Sequence, residues 1–328
     1  MTRSSLSLAV SLLLAGAMLA GCAKPASEEQ ASTPAPATET PAPATPAPAA
    51  ATQEPATQEQ ADIHRFKIGT LDAVALRDGT IDTPNDGKTF GVGQKTEDVA
   101  ALLSANGQPT DVLHLSIQPL LVRDGERTLL FDTGAGDVTW AKAGKLQASL
   151  AAAGVEPGKV TDIFISHGHP DHVGGLLTKD GALAFPNAAV HLSAPEWASI
   201  RKNAELAKLV AAIGPKVATF EPGAVVLPGV TAVALPGHTP GHSAYEIASG
   251  DARLLYIGDA AHHSIVSVQR PDWTIAYDQD APQAQAARRA LLKRAADGNL
   301  RVYAVHFPFP GLGQVKAQGD SYVWVPEN

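Results

Sequence analysis

Ser166-His167-Gly168-His169-Pro170-Asp171-His172-Val173-Gly174-Gly175 is the stretch that decides how this chain reads. It follows directly on an apolar, strand-like run at 162–166, so it forms a turn at a strand end. Three imidazoles and a carboxylate packed between positions 167 and 172 would waste hydrogen-bonding capacity in a core, whereas a divalent cation satisfies them together. His167 and His169, two apart in an extended segment, project to the same side and can share one metal. Asp171 and His172 belong to the following turn and face a second one. The single cysteine, Cys22, leaves no partner for an intrachain disulfide and rules out a cysteine-rich zinc knuckle, so metal chemistry has to rest on histidine and carboxylate.

Around this turn, short β-branched and leucine-rich runs alternate with alanine-rich amphipathic ones from residue 63 onward. Strands are expected at 72–76, 113–122 and 128–131, with Asp78-Gly79 and Asp124-Gly125 as turn signals. A helix is expected over 140–153, ending near Gly154. Beyond the histidine turn come a strand at 189–192, helical segments over 195–212, and strands at 230–235, 243–247 and 253–257. A helix over 281–296 and a last strand at 301–306 complete the pattern. Two successive strand-then-helix halves imply two sheets packed together with helices outside, and no solenoid period is present.

The first residues read differently. Arg3, an apolar run from about 6 to 20 and small residues before Cys22 have the flanks and length of a signal peptide rather than a membrane span. Leu19-Ala20-Gly21-Cys22 resembles a bacterial lipobox, which implies cleavage before Cys22, lipidation of its thiol and export to the cell envelope; Ala23 points to the outer membrane. Residues 23–61 contain eight prolines and no aromatic or large aliphatic residue. Such a stretch cannot bury enough apolar surface to offset its ordering entropy and reads as a disordered tether. The expected organisation is therefore 1–21 signal peptide, 22–61 lipidated cysteine and tether, and 62–328 catalytic domain. With a net charge of −8 and scattered Lys and Arg, the chain lacks an electrostatic footprint for nucleic acid.

The pattern His167-x-His169-x-Asp171-His172 resembles the signature of the metallo-β-lactamase superfamily, and three later motifs follow in that family's order. Gly237-His238-Thr239-Pro240-Gly241-His242-Ser243 resembles its third-histidine loop, Gly258-Asp259-Ala260 its bridging aspartate, and Ala304-Val305-His306-Phe307-Pro308-Phe309-Pro310-Gly311 its terminal histidine. The resemblance implies an α+β, four-layer αββα sandwich: two mixed β-sheets with helices outside. It implies one metal on His167, His169 and His238, a second on Asp171, His172 and His306, and Asp259 with a solvent-derived hydroxide bridging them. Asp171 and Asp259 are then the carboxylates at the chemistry. Zinc is the default occupant, and manganese, iron or cobalt fit the same ligands.

Within the superfamily, Ala75-Leu76-Arg77-Asp78-Gly79-Thr80, Phe131-Asp132-Thr133-Gly134-Ala135-Gly136, Phe185-Pro186-Asn187-Ala188 and the His306 stretch are similar to methyl parathion hydrolase-like and N-acyl homoserine lactonase-like members. A lactonase is expected to carry a substrate-facing tyrosine three residues after the bridging aspartate; that position here is His262. Asp132 is placed to hold a ligand histidine's spare N–H, with turn capping as the alternative, and His242 to organise its loop by hydrogen bonds. His262, Phe307 and Phe309 are candidates for the pocket wall, whereas Trp140, Trp197 and Trp273 are expected in the core. The expected activity is cleavage of a small phosphotriester, ester or lactone. An acyl homoserine lactonase is the second reading and a non-catalytic metal-binding surface lipoprotein the third. The expected partners are a small-molecule substrate and a membrane, with a homodimer left open.

Overall fold

A computed structural model describes residues 62–327; Cys22, the expected signal peptide and the tether lie outside the described residues. Among those described, no helix is long and apolar enough to cross a membrane.

The strands, in chain order, are β1 (Ile63–Ile68), β2 (Leu71–Leu76), β3 (Gly79–Pro84), β4 (Phe90–Val92), β5 (Val112–Ile117), β6 (Leu120–Asp124), β7 (Arg127–Phe131), β8 (Asp162–Phe164) and β9 (Ala189–Ser193). They continue as β10 (Val217–Phe220), β11 (Val225–Leu227), β12 (Val230–Ala234), β13 (Ser243–Ser249), β14 (Ala252–Tyr256), β15 (Thr274–Ile275), β16 (Arg301–Tyr303), β17 (Leu312–Gln318) and β18 (Ser321–Pro326). One seven-stranded sheet runs β1-β2-β6-β7-β8-β9-β10 and the other β11-β12-β13-β14-β16-β17-β18. Both are mixed: β7, β8, β9 and β10 pair in parallel, as do β14 and β16, while the remaining pairs are antiparallel.

Side chains on successive strand residues point to opposite faces, and here both faces are buried. Ala73, Ala75, Leu129 and Phe131 enter a core shared with Tyr245, Ile247, Leu254 and Tyr256 of the second sheet. Their neighbours Val74, Leu76 and Leu130 point the other way, onto Leu146 and Leu150 of helix Leu146–Ala152 and Ile200 of helix Ala194–Ile200. On the far side of the second sheet, Leu255, Val302 and Val315 meet Leu291 and Leu292 of helix Ala281–Asp297. Helix, sheet, sheet, helix is thus the order of layers, as expected.

Several elements depart from the sequence-based expectation. The run at 113–122 splits into β5 and β6 because Pro119 cannot donate to a ladder and buried Gln118 bonds instead to the carbonyls of Ala304 and Phe307. Asp78-Gly79 marks the break between β2 and β3 as expected, but the two strands do not pair with each other: β2 pairs with β6, and β3 with β5. The helix expected from 140 begins only at Leu146, where the Asp78 carboxylate accepts the Leu146 N–H and Lys142 bridges to Thr80. The strand expected at 301–306 is β16 and stops at Tyr303; the last element among the described residues is the β17–β18 hairpin, and a helix, Thr96–Ala105, stands in a region with no expected element.

Candidate metal centre

The candidate ligands follow the C-terminal ends of strands. The histidine turn comes after β8, His238 after β12, Asp259 after β14 and His306 after β16. In the parallel parts of the sheets these ends share one edge, and β13 brings β12 to it by pairing antiparallel with both β12 and β14. The two sheets are tied there by the Ser243 N–H, which donates to the Ser166 carbonyl at 3.0 Å, and by the Tyr245 hydroxyl on the Ile165 carbonyl at 2.6 Å.

Two clusters result. Ligand atoms of His167, His169, His238 and Asp259 lie within 4.8 Å of one another, and so do those of Asp171, His172, Asp259 and His306. In the first, His238 Nε2 is 3.1 Å from His167 Nε2 and 3.0 Å from His169 Nδ1. In the second, His172 Nε2 and His306 Nε2 stand 3.0 and 3.1 Å from Asp259 Oδ1, and Asp171 Oδ2 is 3.4 Å from His306 Nε2. Asp259 divides its carboxylate: Oδ1 faces the second cluster and Oδ2 lies 3.3 Å from His238.

The other ring nitrogens are already engaged. His172 Nδ1 is 2.7 Å from Asp132 Oδ2, His238 Nδ1 is 3.0 Å from Asp278 Oδ1, and His306 Nδ1 is 2.7 Å from the Ser116 carbonyl. With Nδ1–H donating outward, three Nε2 lone pairs are aimed at the centre. Lone pairs cannot satisfy one another, and the buried His172 Nε2 and Asp259 Oδ1 have no hydrogen-bond partner. A cation in each cluster resolves both problems, so the donor set fits a pair of divalent metals. The surrounding carboxylates make the same demand for positive charge, met by a proton where no cation is bound. Burial opposes protonation of His172, yet Asp259, Asp171 and Asp132 outweigh it and hold its pKa well above the ordinary imidazole value. Burial would raise Asp259, but the surrounding imidazoles keep it well below the usual carboxylate range.

Asp132 does more than cap a turn. Held in the left-handed region at φ 56°, it accepts the Ser166 N–H, the Ser166 hydroxyl and the Tyr256 hydroxyl, each at 2.7 Å, besides facing His172. His242 accepts the Asp259 N–H at Nε2, 2.9 Å away. That contact fits only because position 258 is glycine; a Cβ there would stand 2.7 Å from the ring.

Three buried residues here had no motif to announce them. Glu196 accepts from the Gly168 N–H at 2.8 Å, the Thr239 hydroxyl at 2.6 Å and the Gly241 N–H at 3.0 Å, joining the two histidine loops. Asp278 backs His238, and Arg288 backs Asp278 at 2.8 Å. Ser193-Ala-Pro-Glu196, a capping-box pattern, is a signal that could have flagged Glu196; its carboxylate turns to the loops instead of back to the Ser193 N–H.

Beside the clusters lies a cavity of about 530 Å³. His169, Asp171, Asp259, His262 and His306 form one side; Ile81, Pro84, Leu115, Trp140 and Tyr277 are among the rest, and no Lys or Arg is in its lining. His262 is in the wall, its ring parallel to that of His306 at 5.7 Å, with Nδ1 buried and unpartnered. Phe307 and Phe309 are not. Phe307 packs edge-on against Trp324 in the outer core, and Phe309 lies under the Arg77 guanidinium, 4.1 Å from it. The β16 turn aims His306 inward, and the flanking rings fall to either side of the sheet. Trp140, expected in the core, is 50% exposed and lines the cavity, as does Tyr277 at 44%.

The family model described as metallo-beta-lactamase superfamily matches residues 115–306. Among solved structures, the chain is similar to AidC, a dizinc quorum-quenching lactonase in complex with a product, N-hexanoyl-L-homoserine: 30% identity, TM-score 0.76, covering 81% of this chain and 97% of that one. It is similar to the hydrolase AbOPH of the β-lactamase superfamily at 30% identity and TM-score 0.74, with 81% and 98% covered. A probable metallo-hydrolase of Mycobacterium tuberculosis is 26% identical over 261 residues, 62% of this chain and 82% of the relative.

Proposed function

The chain belongs to the metallo-β-lactamase superfamily and is a metal-dependent hydrolase; from that premise we propose that it holds two divalent cations and cleaves a small, neutral, ester-like substrate. Phosphotriesters, carboxylic esters and lactones are the members of that class. The observation carrying the proposal is Asp259, shared between two ligand clusters beside a cavity with one apolar wall and, among the described residues, no Lys or Arg in its lining.

His167, His169 and His238 would hold one cation, Asp171, His172 and His306 the other, with Asp259 common to both. Zinc is favoured by the imidazole-rich donor set and by the likeness to a dizinc lactonase. When bound, such a pair acidifies a water towards neutrality, making it a nucleophile, and acts as Lewis acid towards the oxygen on which charge develops. The protein's part is to keep the rings in the right tautomer, through Asp132, Asp278 and the Ser116 carbonyl, and to present the substrate. Ile81, Pro84, Leu115, Trp140 and Tyr277 offer an apolar surface to the substrate's non-reacting arm. His262, whose Nε2 stands 3.1 Å from Asp259 Oδ2, lines the cavity next to the ligands and would meet the substrate near its reacting end.

A substrate carboxylate finds no Lys or Arg in the cavity lining among the described residues. A panel of an aryl phosphotriester, a long-chain acyl homoserine lactone, an aryl ester and a cephalosporin on metal-loaded protein tests the reading. The cephalosporin, which carries a carboxylate, is expected to be turned over least; its turnover alone would overturn the substrate class. An acyl homoserine lactonase is the second reading, favoured by the likeness to AidC, with His262 in place of the expected tyrosine as the point against it.

The N-terminal sequence supports export and lipid anchoring at Cys22, outside the described residues. Mass spectrometry of the membrane-extracted N-terminal peptide is expected to find an acylated cysteine; an unmodified thiol on the mature protein would refute the anchor.

A further inference from the structure

The largest fully buried side chain among the described residues has no part in the chemistry above. It is Arg288, 1% exposed, in the middle of helix Ala281–Asp297. Its neighbours on the buried stripe of that helix are Ala284, Leu291, Leu292 and Ala295, the last three of which attach the helix to the second sheet. Packing alone would be served by an apolar residue at 288, without the desolvation penalty of a guanidinium. What the guanidinium reaches is therefore informative.

Nε donates to the Ala260 carbonyl at 2.7 Å, Nη1 to the Pro271 carbonyl at 3.0 Å, and Nη2 to Asp278 Oδ2 at 2.8 Å. Ala260 is the residue after Asp259. Asp278 uses its other oxygen, Oδ1, for His238 Nδ1 at 3.0 Å. One rigid fork thus grips the turn carrying Asp259 and the carboxylate that orients His238, two members of the first ligand cluster. Asp278 would otherwise be free to rotate about its χ2, and a turned carboxylate no longer fixes the ring.

We infer that Arg288 is a positioning residue of the first metal cluster, acting on His238 through Asp278 and on Asp259 through the Ala260 carbonyl. The inference rests on the proposed metal reading of those residues. Groups that orient metal ligands in this way are worth about ten- to a hundredfold in metal affinity.

The test is a zinc titration of the full metal-free chain against a chromophoric chelator, for wild type, Arg288→Lys, Asp278→Asn and His238→Ala. Arg288→Lys keeps the charge and loses the fork. It is expected to bind the zinc of the cluster holding His238 about tenfold or more weakly, and the other zinc, which shares only Asp259 with it, with a smaller loss. Combined with His238→Ala it should add little further loss, since both act on one site. Two zinc affinities within twofold of wild type in a cooperatively folding Arg288→Lys protein would overturn the inference while leaving the metal centre intact. Should that variant not fold, Asp278→Asn decides by the same criterion, because it keeps size and shape and can no longer accept from both His238 and Arg288. Absence of zinc binding by the wild type would instead sink the metal reading itself, and the inference with it.

Discussion

Glu196 accepts three hydrogen bonds with two oxygens while 2% exposed, and burial pushes its pKa up against the pull of Thr239, Gly168 and Gly241. Its value lies in being acceptor-only when ionised: an amide would turn an NH2 towards a donor. Glu196→Gln is therefore expected to lose about 1–3 kcal/mol of stability in urea unfolding of the metal-free protein, the cost of stranding a buried donor. No change in the midpoint would show that packing alone matters there. Asp171→Ala and His238→Ala each remove one candidate ligand from a different cluster and are expected to abolish turnover of every substrate in the panel, with bound metal per chain falling in parallel. Among ligand residues, the ones legible in the sequence were those with a motif. Asp278, Glu196 and Arg288 are in neither cluster; each is defined by hydrogen-bond partners of its side chain 10 to 45 residues away along the chain.

At the scale of elements, the strand ends are what bring ligands together, and short helices then lock the connecting turns. His263 is an instance. Buried against Phe90, it offers Nδ1 to the N–H groups of Ile265 and Val266, both at 3.3 Å, at the start of helix Val266–Gln269. Burial lowers its pKa to about 4 from the ordinary 6.5. The unfolded chain takes up a proton at this residue between those values and the folded chain does not. The contribution is thus fully present above 6.5 and is lost as the pH falls towards 4, at up to about 1.4 kcal/mol per pH unit. His263→Asn keeps an acceptor near the Nδ1 position without titrating, and its unfolding free energy should fall less steeply over that window. An unchanged slope would remove His263 as the cause. Strand-rich stretches were readable from their alternation, whereas β3, the helix Thr96–Ala105 and the break at Gln118-Pro119 were not, because partners from distant segments determine them.

Across the whole molecule, the centre is assembled from both sheets: the histidine turn and Asp132 belong to the first, His238, Asp259 and His306 to the second. Metal binding should therefore stabilise the packing of the two halves, not one loop. At free metal a hundredfold above its dissociation constant, each occupied site adds about 2.7 kcal/mol. For a domain of this size one site then corresponds to a rise in Tm of roughly 5–10 °C. Chelator-treated protein is expected to melt lower by at least that amount and to recover when metal is restored; identical melting curves would contradict a centre that spans the sheets.

Read alone, the sequence determined the four-layer class, the order of the ligand motifs and the need for a metal, because these depend on residue type and on spacing within a few positions. The tertiary structure alone decided the pocket walls and the supporting shell. Trp140 and Tyr277 entered the cavity and Phe307 left it, although all three are aromatic residues with nothing local to distinguish them. The physical reason is range. A strand end and a histidine pair are specified by neighbours along the chain, but the direction a side chain faces, and the carboxylate or guanidinium behind it, depend on which distant segments pack alongside.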